Sequence, residues 1–245
     1  RHITVDYREQ RDINGRDETP ERRVRSNYVD TGIRRTQTDL IANTPIGKIR
    51  HMSVGQPDNA RFIVVYLHGQ GGSRRQGMED FTFGGNFNRI KNLAARNKGL
   101  YLTADFVDFS ATGARQIASL IGIYAARSPN ASVYLACGSM GGSLCWRLAN
   151  DAEVGPRLGG LILLGSHWDE SFFASHAFKR KGPVFFGHGG NDRVYPVTKQ
   201  EAFFRKILQR RPNYPTRFVR FETGSHGTPI RMSDWRAVIN WMAEE

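Results

Sequence analysis

Cysteine is scarce in this sequence: among 245 residues, only Cys137 and Cys145 carry a thiol. Two cysteines are too few for a disulfide framework, and no cysteine and histidine spacing typical of a metal site occurs. Cys137 falls at the end of an expected strand, and Cys145 falls in the first turns of the helix after it. Because these two elements point in different directions, we expect no bridge between them and two buried free thiols instead.

Long apolar runs are also missing. No stretch approaches the roughly 18 residues that a helix needs to cross a bilayer, and the start lacks the apolar core of a signal peptide. The chain begins with Arg1 rather than methionine, which leaves open the removal of an N-terminal segment and, with it, export. Its 39% hydrophobic and 24% charged residues are typical of a soluble globular protein, and its length suits one α/β domain.

Acidic residues are few. Asp and Glu number 23 against 35 Lys and Arg, so the formal net charge is +12 and the isoelectric point is about 10.1. This balance suits contact with an anionic surface or substrate, such as an acidic polysaccharide, an anionic lipid surface or a nucleic acid. The alternative is a solvated surface without a particular partner. The basic residues are spread along the chain without interleaved aromatic residues, which argues against nucleic-acid binding.

The chain divides into two parts by composition. Residues 1–35 are polar, charged and aperiodic, and we expect them to form an extended or partly disordered arm on the surface. Residues 36–245 have the patterning of a single catalytic domain. That part opens with two short strand patterns at 39–42 and 46–52, joined by a turn, and a continuous apolar run at 61–67 then predicts a strand buried on both faces.

Strand and helix patterns alternate through the rest of the chain. This alternation predicts a mainly parallel sheet with helices on both faces, to which the leading strand pair adds an antiparallel N-terminal edge. The expected strands are 99–103, the apolar run before Ser139, 161–165, 183–187 and 216–221. The expected helices begin at Asn86 and after Ser139, and span 114–126, 198–209 and 232–242.

Ser139 lies at the centre of the most informative stretch. The apolar run from Ser132 ends in small residues at 137–142, and a helix pattern follows. A serine on such a strained turn exposes its hydroxyl, and the residues two before and two after it must be small. The stretch resembles the nucleophile elbow of the α/β-hydrolase superfamily, whose usual pattern is G-x-S-x-G. It departs from that pattern in having Cys137 at the first glycine position.

The resemblance covers about residues 36–245 and implies the α/β-hydrolase fold without a large lid. In that fold an acid and a histidine follow the serine, each on a loop after a strand. Residues 188–196 resemble the acid loop and give Asp192 the orienting role. Residues 224–227 resemble the histidine loop and make His226 the base. The other acids, Asp169 and Asp234, do not follow a strand in the right place.

The resemblance also implies two backbone N–H donors for an oxyanion. One is the amide of Met140, directly after the serine, at the start of a helix whose dipole favours negative charge. The other lies on the loop after the 61–67 strand, where residues 68–72 resemble an oxyanion loop. Gln70 is the expected donor, with Gly71 as the second choice. Such a site requires no metal and no organic cofactor.

The substrate is less closely defined by the sequence. His167, Trp168 and Phe172, on the loop 167–182, either line a substrate pocket or pack that loop onto the domain. We expect a serine hydrolase that cleaves a carboxylic ester or thioester of modest size, either a small molecule or an acylated polysaccharide, through an acyl-enzyme on Ser139. The alternatives are a serine peptidase or amidase on the same fold, and a catalytically silent binding protein.

Overall fold

A computed structural model describes residues 1–13, 17–18 and 23–245. In these residues, strands and helices alternate along most of the chain. The strands are β1 (His2–Val5), β2 (Asp17–Glu18), β3 (Arg23–Val24), β4 (Thr38–Thr44), β5 (Gly47–Gly55), β6 (Phe62–Leu67), β7 (Leu100–Ala104), β8 (Ser132–Gly138), β9 (Leu158–Leu164), β10 (Val184–Gly189) and β11 (Thr216–Phe221). The helices are α1 (Glu9–Ile13), α2 (Asn86–Arg96), α3 (Ala111–Arg127), α4 (Gly142–Ala149), α5 (His176–Lys179), α6 (Val197–Arg210), α7 (Thr228–Met232) and α8 (Trp235–Glu244).

Nine of these strands form one sheet in the order β1-β11-β10-β9-β8-β6-β7-β5-β4. β5 pairs antiparallel with both β4 and β7, and the remaining pairs in this sheet are parallel. The prediction of a mainly parallel sheet with an antiparallel N-terminal edge is therefore confirmed. The carboxyl ends of β6, β8, β10 and β11 share one edge of the sheet, where ligands bind in folds of this kind.

Helices cover both faces of the sheet, as predicted. Along β6, Ile63, Val65 and Leu67 pack into a core with α3, α4 and α6. Val64 and Tyr66 point to the other face and pack with α2 and α8. Because side chains alternate along a strand, a strand covered on both faces must be apolar at every position, which explains its continuous hydrophobic pattern.

The C-terminal helix differs from the prediction. Instead of one helix over 232–242, the chain forms α7 and α8 with a break between them. Ser233 and Asp234 have extended backbones there. The Asp234 side chain accepts a hydrogen bond of 3.0 Å from the amide of Ala237 and so caps the start of α8. This capping explains why the helix begins after Asp234 rather than before it.

The first residues of the chain join the sheet. β1 pairs in parallel with β11, and the terminal ammonium of Arg1 donates to the carbonyl of Thr216 at 2.8 Å. Tyr7 is buried against Phe221. Part of the segment 1–35 therefore forms the outer strand of the sheet, while residues 14–16 and 19–22 lie outside the described part of the chain. Among the described helices, none has the length and apolar character of a membrane span.

The two cysteines correct the expectation from the sequence. Cys137 and Cys145 are joined by a disulfide, with a Cα–Cα separation of 6.4 Å, and both are fully buried. The turn at Ser139–Gly141 reverses the chain so tightly that the first turn of α4 passes beside the end of β8. The two elements do point in different directions, but their ends lie within the range that a disulfide spans.

Candidate active site

Ser139 stands on a strained turn between β8 and α4. Its φ of +52° lies in the left-handed region, which is uncommon for a residue with a side chain. A 3₁₀ turn over Ser139–Gly141 then leads directly into the helix. Residues held in such conformations cluster at functional sites, and the turn is the one that the sequence predicted.

The backbone packs too closely around this turn for larger side chains. A methyl group on Gly69 would lie 2.8 Å from the Cβ of Ser139, and one on Gly138 would lie 2.7 Å from the hydroxyl of Tyr66. A methyl group on Gly141 would clash with the carbonyl of Leu67. The glycines at these positions therefore allow the loop after β6 to lie directly against the serine.

Asp192 follows β10 and is almost completely buried. Its Oδ1 accepts hydrogen bonds from the amides of Val194 at 2.8 Å and Tyr195 at 3.0 Å, and its Oδ2 accepts one from Nδ1 of His226 at 2.8 Å. Burial by itself would raise the pKa of Asp192, but these hydrogen bonds outweigh it and hold the pKa below its usual value. The carboxylate is therefore ionised at neutral pH.

His226 lies between Asp192 and Ser139. It follows β11, and its Nε2 lies 2.9 Å from Oγ of Ser139. With Nδ1–H donating to the carboxylate, Nε2 is left to accept the serine proton. The His226 side chain keeps about a third of its surface exposed, so a substrate can reach it. The structure thus brings Ser139, Asp192 and His226 into one hydrogen-bonded line.

A second, buried histidine supports the acid loop. Nε2 of His188 donates to the carbonyl of Tyr195 at 2.8 Å and lies 3.4 Å from Oδ2 of Asp192. Burial lowers the pKa of His188, so its ring is neutral at neutral pH. The sequence placed His188 in the acid-loop string but assigned it no contact. Its hydrogen bond fixes the course of the loop that carries both Asp192 and Tyr195.

The residues expected to form the oxyanion site flank Ser139. Met140 is the second residue of the 3₁₀ turn, where N–H groups lack partners within the helix. Gln70 follows Gly69 on the loop that touches Ser139. His68 holds this loop: its Nδ1 donates to the carbonyl of Gly69 at 2.8 Å, and its ring stacks on Phe106. The roles of Gln70 and Met140 remain predictions.

The three expected pocket residues lie in different places. His167 is at the site: its Nε2 lies 3.3 Å from Oγ of Ser143, and its ring centroid lies 5.8 Å from that of Tyr195. Trp168 is partly buried and packs against the core. Phe172 is fully buried, with its ring centroid 5.1 Å from that of Trp146. Of the two alternatives for Phe172, the structure therefore favours packing of its loop onto the domain over lining a pocket.

The rival acids have structural roles. Asp169 accepts a hydrogen bond from the amide of Ser171 at 2.8 Å and caps the short 3₁₀ helix Glu170–Ala174. Asp234 caps α8, as described above. Among the described residues, Asp192 alone accepts a hydrogen bond from Nδ1 of His226.

Sequence reasoning missed two aromatic residues beside the hydrogen-bonded line of Ser139, His226 and Asp192. The ring of Tyr195 lies 5.8 Å from that of His226, measured between centroids. Phe83 has a φ of +50°, and a methyl group on Gly227 would lie 3.3 Å from its ring. Each residue had a sequence feature that could have marked it: Tyr195 lies three residues after Asp192, and Phe83 precedes two glycines. Neither pattern shows which way a ring points.

Three solved structures that resemble this chain are hydrolases by name. An esterase from Pyrococcus furiosus superposes with a TM-score of 0.65 at 13% identity, covering 94% of this chain and 98% of its own. An α/β serine hydrolase homologue from Coxiella burnetii gives 0.59 at 16% identity, covering 84% and 96%. A thermophilic esterase from Thermogutta terrifontis, solved with butyrate bound, gives 0.56 at 14%, covering 85% and 92%.

Comparisons by sequence find no match to this chain: no protein-family model matches it, and no curated protein does. The structural likenesses, at these low identities, establish the α/β-hydrolase fold that the sequence predicted.

Proposed function

We propose that the protein is a serine hydrolase that cleaves carboxylic esters of modest size through an acyl-enzyme on Ser139. The observation that carries the proposal is the hydrogen-bonded line from Asp192 through His226 to Ser139, with separations of 2.8 and 2.9 Å. A serine hydroxyl is a weak nucleophile at neutral pH and needs a base within hydrogen-bond reach, itself oriented by an acid. All three groups lie at the edge of the sheet where ligands bind.

The reaction follows from this geometry. Oγ of Ser139 attacks the carbonyl carbon while Nε2 of His226 takes its proton, and Asp192 stabilises the resulting imidazolium. When the tetrahedral intermediate collapses, the bond to the alcohol oxygen breaks and His226 returns the proton to that oxygen. Water, activated by the same imidazole, then attacks the acyl-enzyme and releases the acid, which restores the free serine.

Negative charge on the former carbonyl oxygen needs fixed donors. In this proposal the amides of Met140 and Gln70 supply them from two sides of Ser139. Both belong to rigid local structure, the 3₁₀ turn and the loop held by His68, so they need no rearrangement during the reaction. Removing one such donor typically lowers turnover by about 10²–10³.

An ester substrate is supported by the names of the structural neighbours. Two of those above are esterases, one of them with butyrate bound. The loop after β9 packs down onto the domain through Phe172, and Ser139 keeps part of its surface exposed. We therefore expect short or medium acyl groups, and the basic surface favours anionic or acylated-polysaccharide substrates.

The decisive experiment is active-site labelling with a fluorophosphonate probe. We expect wild type to be labelled, Ser139→Ala to remain unlabelled, and Ser171→Ala, which changes an exposed serine, to be labelled like wild type. Labelling that persists in Ser139→Ala would place the nucleophile elsewhere. A wild-type protein that does not react would favour a catalytically silent binding protein.

A second comparison separates the reaction classes. Purified wild type is tested on p-nitrophenyl esters of increasing acyl length and on aminoacyl-nitroanilides. Hydrolysis of the esters but not of the anilides supports the proposal. The reverse preference would assign the same catalytic line to a peptidase or amidase.

A further inference from the structure

Tyr195 is fixed beside the catalytic line by its backbone. Its amide donates to Oδ1 of Asp192 at 3.0 Å, and its carbonyl accepts from Nε2 of His188 at 2.8 Å. These two hydrogen bonds hold the Tyr195 backbone against the buried acid loop, so the position from which its side chain extends is fixed. The half-buried ring lies between two imidazoles, with centroids 5.8 Å from both His226 and His167.

The hydroxyl of Tyr195, on the ring next to His226, interacts with the Ser139 side chain. Burial raises the pKa of this hydroxyl and the nearby Asp192 raises it further, while the contact with Ser139 lowers it. Because the ordinary value is already about 10, the phenol is protonated at neutral pH. Tyr195 therefore presents an O–H donor about where bonds to the substrate form and break.

Sheet order decides which oxygen of the substrate this donor can reach. The expected oxyanion loop follows β6, whereas Tyr195 and His226 follow β10 and β11. In the sheet, β6 lies on one side of β8, and β10 and β11 lie on the other. Ser139 thus separates the two sets of donors, and Tyr195 stands on the same side as His226.

The leaving oxygen must lie on that side, since it takes its proton from Nε2 of His226. We propose that the Tyr195 hydroxyl donates a hydrogen bond to the alcohol oxygen of the ester as that oxygen leaves the acyl carbon bound to Ser139. When the carbon–oxygen bond breaks, the electron pair moves onto that oxygen, His226 supplies the proton, and Tyr195 keeps its own. This inference rests on the proposed esterase function and assigns its leaving-group site.

The substrate class follows from this assignment. A second donor matters most for an alcohol that leaves poorly, since its oxygen carries the most charge before protonation. An activated phenol such as p-nitrophenol leaves without such help. The site is therefore suited to esters of alkyl or sugar alcohols.

The test is Tyr195→Phe, which keeps the ring and removes the donor. kcat/KM is measured for a methyl ester and a p-nitrophenyl ester of the same acid, because kcat/KM reports acylation, the step in which the alcohol leaves. We expect a loss of about tenfold for the methyl ester, the order of one hydrogen bond to a partly charged oxygen, and less than about twofold for the p-nitrophenyl ester. Tyr28→Phe, which removes an exposed hydroxyl, should change neither value.

The outcomes separate this inference from the proposed function. Equal losses on both esters would show that Tyr195 positions Ser139 rather than the alcohol, and no loss on either would remove it from the reaction; both results overturn the inference. If Ser139→Ala keeps wild-type ester hydrolysis, the proposed function itself fails. A thermal melt of Tyr195→Phe within the error of wild type shows that the variant is folded.

Discussion

At the scale of single residues, Asp192 does two things with its two oxygens. Oδ1 accepts two amide hydrogen bonds from its own loop, from Val194 and Tyr195, while Oδ2 accepts the one from His226. The first set shapes the loop, and the second sets which ring nitrogen of His226 carries the proton. The two functions can be separated by a substitution that changes only one oxygen.

Asp192→Asn is that substitution. The amide oxygen can keep both loop hydrogen bonds, but the NH₂ group then faces Nδ1 of His226, which must become the acceptor. The ring proton moves to Nε2, which can no longer take the serine proton. We expect kcat/KM for an ester to fall by about 10³–10⁴ at neutral pH, with Asp169→Asn, at the rival acid, within about twofold of wild type. A loss below tenfold would contradict the role of Asp192.

The same variant has a pH-dependent effect on stability. The pKa of Asp192 is lower in the folded protein than its ordinary value of about 3.9. The ionised carboxylate therefore stabilises the fold above about pH 4, and this contribution is lost as the pH falls through the folded pKa. The difference in melting temperature between wild type and Asp192→Asn should accordingly shrink below pH 4.

The sequence predicted some of the site and not the rest. Ser139, Asp192 and His226 could be expected together because the strings around them resemble the serine, acid and histidine loops of the α/β-hydrolase superfamily. Phe172 could not be placed, since an aromatic residue in a loop after a strand is equally suited to a pocket and to a core. Tyr195 was missed because its ring direction depends on the hydrogen bond of its carbonyl to His188, a contact that spacing does not reveal.

At the scale of elements, the disulfide ties the strand before Ser139 to the helix after it. Cys137 is two residues before the serine, and Cys145 lies on α4, which directly follows the 3₁₀ turn that carries the Met140 amide. The bridge closes a short loop around the elbow. The sequence indicated the strand, the turn and the helix correctly, but not how near the two ends lie, which depends on the tightness of the turn.

Replacing both cysteines by alanine tests what the bridge contributes. Closing a loop of this size should stabilise the fold by about 2.5 kcal/mol, so we expect the melting temperature of the double variant to fall by roughly 5–10 °C. Cys145→Ala alone leaves a buried thiol and serves as the comparison. In denaturant without reductant, wild type should take up no iodoacetamide. Two alkylated cysteines under those conditions would show that the bridge is absent.

At the scale of the whole molecule, one outer strand of the sheet pairs with a strand that is far from it in sequence. β1 from the N-terminus covers β11, the strand that leads to His226. The alternation of strands and helices predicted the layers, and the leading strand pair predicted the antiparallel edge. The sequence pattern could not place β1, because four residues in a polar segment are too few to show a periodicity. Their position is determined by pairing with β11, more than two hundred residues away.

The charge of the whole molecule leads to a last prediction. Exposed Arg75 and Arg193 lie on the loops after β6 and β10, on either side of Ser139, in a chain of net charge +12. Such a field draws anionic substrates to the site, and salt weakens it by shortening the screening length from about 20 Å at 20 mM to about 4 Å at 500 mM. We expect kcat/KM for an ester of a uronic acid sugar to fall about tenfold over that range.

The control is the ester of the matching neutral sugar, whose kcat/KM should stay within about twofold over the same range, because it carries no charge for the field to act on. Arg193→Gln should weaken the salt dependence of the anionic ester while leaving the neutral ester unchanged. Equal salt effects on both esters would mean that salt acts on the enzyme rather than on substrate attraction. A flat response for both would mean that the basic surface serves solubility and has no part in substrate choice.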